Sequence, residues 1–400
     1  MFLTVMTVAQ ALTALAPARR GAVVPVPPAL GAVPAEDVVS AEQLPAWARA
    51  TVDGYAVRAA DTYAAAETLP AFLEITGAVT MGRAPEGEVG PGAAMAIPTG
   101  GLLPHGADAV VMVEHTTEPM PGHVELMRGV APGDGVLHPG EEAGPGDVLA
   151  PAGRPLRAAD LGLLAAAGVT EIAAHERPRV GIVSTGDEVV PPGTPELAPG
   201  QVRDACAPAL GGLVRQAGGE PVQRGIVPDE AAELERVLAD AVARDDVVVV
   251  SAGSSVGARD LTATVVSRLG EVVCHGLAIK PGKPTLLADC GGVPLIGLPG
   301  NPRSALVVFR LVGIPLVRTV AGVTAPPPPA TVRAELSRDI PSAAGRLDVV
   351  QVTVCDGVAT PRFGSSALLG PMVHADGWLR VPEPATGLGA GTVVDVELYA

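Results

Sequence analysis

Four short stretches gather residue types that could handle a charged ligand. In LAIKPGKPTLL (277–287), Lys280 and Lys283 occupy a corner between two apolar runs, framed by Pro281, Gly282 and Pro284. Two cations in a stiffened turn suit an anion; two solvated turn lysines are the plain alternative. STGDE (184–188) sets Ser184, Thr185 and Gly186 before Asp187 and Glu188. SAGSSVGARD (251–260) offers Ser254, Ser255 and Gly257, whose hydroxyls and close-approaching backbone could cradle a phosphate, and ends on Asp260. It lacks the Gly-Lys-Ser/Thr ending of a Walker A loop, and a glycine-rich turn without ligand would look the same. LPGNPRS (298–304) carries Pro299, Gly300, Asn301 and Pro302 into a helix whose first N–H groups could serve an anion or simply be capped.

Asp187, Glu188 and Asp260 are the candidate metal ligands, because carboxylates beside bound phosphates commonly hold Mg²⁺ through one or two oxygens. Asp229, just after the run VQRGIV, is a further candidate, or a solvated helix start. Asp53 in TVDGYAV (51–57) and Thr99 in AIPTGGLLPHGADAVVMVE (96–114) stand out elsewhere, although either could merely form a turn.

The elements that must position these groups follow from pattern. Across 177–325, the runs RVGIVST, VVVVSAG, VVCHGLAI and VPLIGLPG alternate with helical stretches, notably DEAAELERVLADAVARDD, with Ala231, Leu234, Val237, Leu238 and Ala241 along one face. This alternation predicts an α/β fold, a doubly wound, mostly parallel sheet buried on both sides. Ligands bind such sheets outside the carboxyl ends of the strands, so the four stretches are expected to share one rim and one hollow, with Lys280 near the carboxylates.

Residues 40–140 read as a β-rich insertion of short segments broken by Gly and Pro. Residues 1–39 and 141–176 flank it, contain the helical pattern RAADLGLLAAAGV, and are expected to pack together as a stalk. After the proline-rich AGVTAPPPPAT, residues 326–400 read as a small β-barrel.

Composition sets the outer limits. A formal charge of −16 argues against a nucleic-acid surface, which needs clustered Lys and Arg, so any phosphate site must be local. Only 2% of residues are aromatic while Gly (49) and Pro (41) abound, so Ala, Val and Leu must build the cores between tight turns. No uninterrupted apolar run reaches the ~18 residues that suggest a membrane span. The opening MFLTVMTVAQALTALAPARR lacks a basic start, and Thr7 to Gln10 has capping-box spacing; it reads as a cytosolic amphipathic helix, with an exported precursor as the alternative. Cys206, Cys274, Cys290 and Cys355 form no CxxC pair and read as small apolar residues in a reducing, cytoplasmic setting. From the residues alone, the ligand is a phosphorylated small molecule on an α/β rim, with Mg²⁺.

TVDGYAVR, IPTGGLLPHGADAVV, STGDEVVPPG, SSVGARD, KPGKP and GLPGNPRSA resemble, in order and spacing, the molybdopterin molybdenumtransferase family, the MoeA proteins and the gephyrin E domain. The resemblance covers nearly the whole chain. It implies a helical stalk, a lid at 40–140, a molybdopterin-binding domain at 177–325 and a barrel at 326–400, in a homodimer whose site lies between one subunit's α/β domain and the partner's lid. It implies adenylylated molybdopterin and molybdate as substrates, AMP as a product, and contacts with the adenylyltransferase and with acceptor molybdoenzymes. Lys280 and Lys283 would hold oxyanion oxygens; Asp187, Glu188, Asp229 and Asp260 would position Mg²⁺ or the attacking oxygen. Asp53 and Thr99 would come from the lid, Glu142 stands where the family usually has Asp in its GED motif, Pro299 and Pro302 would shape the pocket, and Ser365 matches a C-terminal serine. Departures are equally plain: SAGSSVG with Ala252 and Ser254, no Asn after Asp204, Gly276 in place of a lysine, and Gln351 in place of an arginine. An adenylyltransferase-like enzyme and a non-catalytic scaffold paralogue are the competing readings.

Overall fold

The computed structural model describes residues 5–15, 22–251 and 256–399, with the backbone alone for 256–260. Ser254 and Ser255 therefore lie outside the described residues. Two compact units are present: Asp37–Pro151 with Ala158–Thr170, and the remainder of the chain. The two segments expected to form a stalk are shared between these units.

The first unit is built on a mixed sheet of β1 (Gly54–Val57), β2 (Ala71–Ala78), β3 (Ala93–Ile97), β4 (Ala109–Met112), β5 (Thr116–Met120) and β6 (His123–Leu126). Its order is β4-β1-β3-β2-β6-β5. All four residues of β1 are buried, because both faces carry apolar packing: Ala56, Met95 and Val110 on one, Tyr55, Ala94 and Val111 on the other. Small residues are required in the centre. A Cβ on Gly54 would lie 1.9 Å from the Val111 carbonyl oxygen, so TVDGYAV needs its glycine for strand packing as well as for the preceding turn. The helical pattern at 157–169 is observed as Ala158–Ala166.

The second unit contains the α/β layer. The strands are β7 (Arg179–Thr185), β8 (Glu220–Val227), β9 (Val247–Ser251), β10 (Glu271–His275), β12 (Leu286–Asp289) and β13 (Pro294–Leu298), ordered β8-β7-β9-β13-β12-β10. The first four in this order are parallel; β12 and β10 complete an antiparallel edge. Alternation within the runs sorts the two faces. Val180, Ile182, Val247 and Val249 pack with the helices Cys206–Gln216 and Ile314–Val320, whereas Val183, Val248 and Val250 pack under Ala231–Arg244 and Val256–Leu269. This is the doubly wound arrangement that the valine runs predict.

The run VVCHGLAI is not one strand. It breaks at Gly276, whose φ of +134° favours glycine, and β11 (Ile279–Lys280) leaves the sheet to pair with the barrel. The barrel closes through β15 (Leu347–Cys355), β16 (Val358–Arg362), β14 (Thr331–Leu336), β18 (Val393–Leu398), β17 (Gly377–Val381) and back to β15, around Leu336, Val352, Leu379, Val381 and Val396. At the other end of the unit, Thr7 and Gln10 form the expected capping box on helix Val8–Ala14, and Met6 pairs with Leu277 beside β11. Among the described residues no helix is long and apolar enough to cross a membrane.

One ion pair pins the sheet edge. Opposite Ile182 and Val183 the register of β8 skips from Gln223 to Gly225, so Arg224 is the bulged residue and Gly225, at φ +98°, absorbs the turn. Arg224 is thereby aimed at Asp245, which it grips through Nε (2.8 Å) and Nη2 (2.7 Å), with Nη1 on Asp240 at 3.0 Å. The Asp245 side chain is fully buried. Replacing Arg224 with Met is expected to destabilise the protein by about 3 kcal/mol, the lower end for a broken buried pair, since it leaves the buried carboxylate with only the partly exposed Arg179, whose Nε stands 3.6 Å away. Urea denaturation of the variant tests this, and a loss below about 1 kcal/mol, the worth of a surface pair, would contradict it.

Candidate active site

Each expected rim residue can be placed from the strand it follows. Asp187 and Glu188 follow β7, Asp229 follows β8, and Pro299 to Pro302 follow β13. The strand β10 runs in the same direction as the parallel set, so the turn Lys280–Pro284 emerges on the same rim, but from the far edge of the sheet. From there it folds back onto the helix after β13, near the middle of the sheet order. The rim residues divide between two adjoining spaces. Lys280 and Lys283 line one cleft and Glu188 lines another cavity, with Asn301 facing both.

The first cleft, of about 760 Å³, runs along the seam between the α/β layer and the barrel. Five cationic side chains line it, Lys280, Lys283, Arg303, Arg346 and Arg362, against one carboxylate, Asp348. Asp348 is committed to Arg346, at 2.8 Å to Nε and 3.3 Å to Nη2. Lys280 and Lys283 are exposed and form no ion pair among the described residues.

The KPGKP turn is held rigidly. Lys280 lies opposite Asp348 in the β11–β15 pairing. Gly282 sits at φ +123°, and a Cβ there would fall 2.5 Å from Val308 Cγ2, so the turn is packed directly on the helix Pro302–Val308. The buried Thr285 hydroxyl donates to the Gly282 carbonyl at 2.7 Å, and the Leu277 N–H donates to the Lys283 carbonyl at 2.9 Å.

At the helix start after LPGN, one N–H is already engaged by the barrel. The Arg303 N–H donates to the Ser366 carbonyl at 3.2 Å, and Asn301 Nδ2 donates to Ser366 Oγ at 2.9 Å, so the barrel loop already covers this helix start. Ser366, rather than Ser365, lines the cleft; Ser365 Oγ accepts from the Ala367 N–H at 3.3 Å.

The second cavity, about 500 Å³, is lined by Ser184, Thr185, Glu188, Asp204, Gly300 and Pro302 among others. Its floor is a buried hydroxyl–carboxylate network. Ser184 Oγ donates to Asp204 Oδ2 at 2.6 Å, while Asp204 Oδ1 accepts from the N–H groups of Cys206 and Ala207 at 2.9 and 3.0 Å. Thr185 Oγ1 donates to Asp229 Oδ1 at 2.8 Å, and the Asp229 N–H donates to Asp187 Oδ1 at 3.1 Å, tying the ends of β7 and β8 together. Asp187, Asp229 and Gly186 line neither cavity. Gly186 is backed by its neighbour, since a Cβ there would lie 2.7 Å from Glu188 Oε2. Burial pushes the Cys206 thiol up to about 12, which removes it as a nucleophile near neutral pH.

Among the described residues no group of three or more His, Cys, Asp or Glu is arranged to hold a metal ion. Of the carboxylates singled out for Mg²⁺, Glu188 alone lines a cavity among the described residues, and Asp187 Oδ1 is engaged by the Asp229 N–H. Gly257 falls in the first turn of helix Val256–Leu269 and Asp260 just beyond it; the Asp260 side chain is outside the description.

In the other unit, the two lid candidates meet. Asp53 Oδ1 accepts from both the N–H (2.6 Å) and the hydroxyl (2.9 Å) of Thr99, because antiparallel β1 and β3 bring their flanking turns side by side. The Thr99 N–H, and secondarily its hydroxyl, hold the exposed Asp53 carboxyl below its usual range. Glu142 is exposed, with its N–H on the Leu44 carbonyl at 2.9 Å.

Arg303, Arg346, Arg362 and Asp204 were not site candidates from sequence. Arg303 stood inside a quoted motif, but Arg346 and Arg362 are solitary strand-end arginines, and only barrel closure turns them toward the cleft.

A doubly wound α/β domain joined to a closed barrel, with a cationic cleft in the seam, defines an enzyme-like domain for a small anionic ligand. Residues 5–168 match the MoeA N-terminal region (domain I and II), residues 181–319 match the "Probable molybdopterin binding domain", and residues 333–399 match the MoeA C-terminal region (domain IV). The chain is 31% identical to the molybdopterin molybdenumtransferase of Haemophilus influenzae over 371 residues, 91% of this chain and 90% of that protein. It is 33% identical to molybdopterin molybdenumtransferase 2 of Mycobacterium tuberculosis, over 93% of this chain and 94% of that one. A crystal structure of the molybdopterin biosynthesis MoeA protein from Pyrococcus horikoshii OT3 matches with a TM-score of 0.86 at 29% identity, covering 99% of this chain and 100% of that chain. The chain belongs to the molybdopterin molybdenumtransferase family.

The Asp53–Thr99 contact makes a titration prediction. Because hydrogen bonds lower the folded-state pKa, their stabilisation is present above the unfolded value of 3.8 and is lost as pH falls through the folded value. Asp53 should titrate below 3.8, and Thr99→Val should raise it only partly, because the larger contribution, from the backbone N–H, remains. Carboxyl-carbon NMR across an acid titration reads both values; a full return to 3.8 in the variant would show that the hydroxyl carries the effect alone.

Proposed function

We propose that this protein inserts molybdenum from molybdate into adenylylated molybdopterin and releases AMP, as a molybdopterin molybdenumtransferase. The observation that carries this reading is the seam cleft: five cations against one engaged carboxylate, on a chain whose formal charge is −16. Such a local reversal of sign draws in and orients anions, and preorganised cations lower the cost of the charge that develops when a phosphoanhydride breaks.

Lys280 and Lys283, fixed by the KPGKP turn, hold molybdate oxygens. The second cavity receives the pterin and adenylyl parts, with Ser184, Thr185 and the loop Pro299–Pro302 as hydrogen-bonding walls. Asn301, facing both spaces, stands where the anion and the pterin meet. Ser254, Ser255 and Gly257 belong to this reading through the motif they share with the family. Mg²⁺, held by Asp187 and Glu188 with Asp260 nearby in the same motif set, would neutralise phosphate charge when bound. Ser365 acts by shaping the barrel loop.

Asp53 and Thr99 are proposed to act from the lid of a second copy, in a homodimer, with Glu142 as a further substrate-binding residue. The reading also places the protein in the cytoplasm, receiving its substrate from the adenylyltransferase and passing product to acceptor molybdoenzymes.

Two experiments test this. In single turnover with adenylylated molybdopterin, AMP release should require molybdate, and Lys280→Ala should slow it by about 10²–10³, the usual effect of deleting one charge-stabilising group. Consumption of ATP in its place would make the protein an adenylyltransferase. Asp53→Ala should abolish release with little change in stability. Co-expressed with the Lys280→Ala chain, it should regain about a quarter of the wild-type rate if copies pair at random in two-fold dimers and the lid serves its partner. No recovery would place Asp53 and Lys280 in one chain's site.

A further inference from the structure

We propose that Arg303 is an oxyanion ligand of the seam cleft, a role that rests on the reading of that cleft as the molybdate site and extends it to a buried guanidinium. Arg303 is only 7% exposed, yet it forms no ion pair among the described residues. Its Nη2 donates to the Gly364 carbonyl; its Nε and Nη1 have no hydrogen-bond partner among the described residues. Burial holds its pKa below the usual arginine range, the sign of a cation desolvated without adequate compensation.

A purely structural arginine would be expected to use its fork. Buried charges persist when paired and hydrogen-bonded, and an unsatisfied one costs more than an apolar side chain of the same size. Here one of the three nitrogens is used, at the wall of a cleft that already contains Lys280 and Lys283, neither in an ion pair among the described residues. The neighbouring wall residue Gln351 is 2% exposed and also presents an unpartnered Nε2. The orphan groups of Arg303 and Gln351 are all donors, and the orphan hydroxyl of Tyr399 beside them supplies no charge, so they call for a guest made of acceptors. A tetrahedral dianion supplies four acceptor oxygens and the missing charge together. The planar guanidinium also holds its N–H groups in fixed directions, which a lysine does not.

The test is equilibrium dialysis of molybdate against the full chain, with urea denaturation in parallel, for wild type, Arg303→Met, Arg303→Lys, Gln351→Glu and Lys280→Ala. Arg303→Met should weaken molybdate binding about tenfold or more, as for loss of a charged hydrogen bond. It should unfold at the same or a higher urea midpoint, because it removes an uncompensated charge. Arg303→Lys should lie between. Gln351→Glu, by placing an internal acceptor beside the guanidinium, should also weaken binding while keeping the fold, and it carries the test if Arg303→Met fails to fold. Wild-type affinity in Arg303→Met, with binding lost in Lys280→Ala, would overturn the role of Arg303 and leave the cleft reading standing. A lowered midpoint with unchanged affinity would make Arg303 structural. Failure of the wild type to bind molybdate would remove both.

Discussion

The crossing of β11 from the sheet to the barrel is the constraint on which the site depends. A two-residue strand pairs Ile279 with Leu347 and Lys280 with Asp348, and this pairing holds two domains' worth of side chains around one cleft. The turn that follows has no freedom to relax. Gly282 is in a conformation that L side chains rarely adopt, and it lies against Val308 where even a methyl group would collide. On the other side, Met6 adds a backbone contact on each flank, donating to the Gly276 carbonyl at 3.1 Å and accepting from the Ala278 N–H at 2.8 Å. Rigid backbone under flexible lysines fixes where positive charge stands without specifying each ammonium, which suits a symmetrical oxyanion better than a directional ligand.

Two spaces then divide the labour. Glu188, after β7, and the lysines of the KPGKP turn line different spaces. Asn301, a neutral residue at the end of β13, bridges the two.

Much of this was legible in the sequence because it is local. Valine runs bounded by helical periodicity gave the doubly wound sheet; KPGKP and STGDE reported their turns through proline and glycine; Thr7 and Gln10 reported a helix start. What sequence could not give was adjacency. Nothing in VVCHGLAI says that its second half pairs with the barrel, apart from Gly276, whose need for positive φ is a weak signal of a break. NPRSALVVFRLVGIPLV reads as one helix, yet Phe309–Gly313 is a π-helical turn. Pro315 removes one N–H and crowds the carbonyl four residues back, and Gly313 leaves the space that the Phe309 ring fills, with ring atoms from 2.2 Å of a would-be Cβ. Single arginines such as Arg346 and Arg362 carry no pattern at all until the barrel closes.

The departures from the family's pattern look different once placed. Read as sequence, Gly276 and Gln351 are two missing cations, and anion capture should suffer. In the fold, position 276 holds a positive φ and its carbonyl accepts from Met6, so a lysine there would strain the same backbone that anchors β11. Gln351 lies at the wall of a cleft whose cations come from the helix after β13, from the strand after Gly345 and from the end of β16. Charge count alone thus misjudges the site: the field in the seam depends on which strands meet there, and residues far apart in the chain can carry a charge that one motif position has lost. The cost of such relocation falls on stability, because Arg303 reaches the cleft only by being buried, whereas an exposed lysine keeps its water.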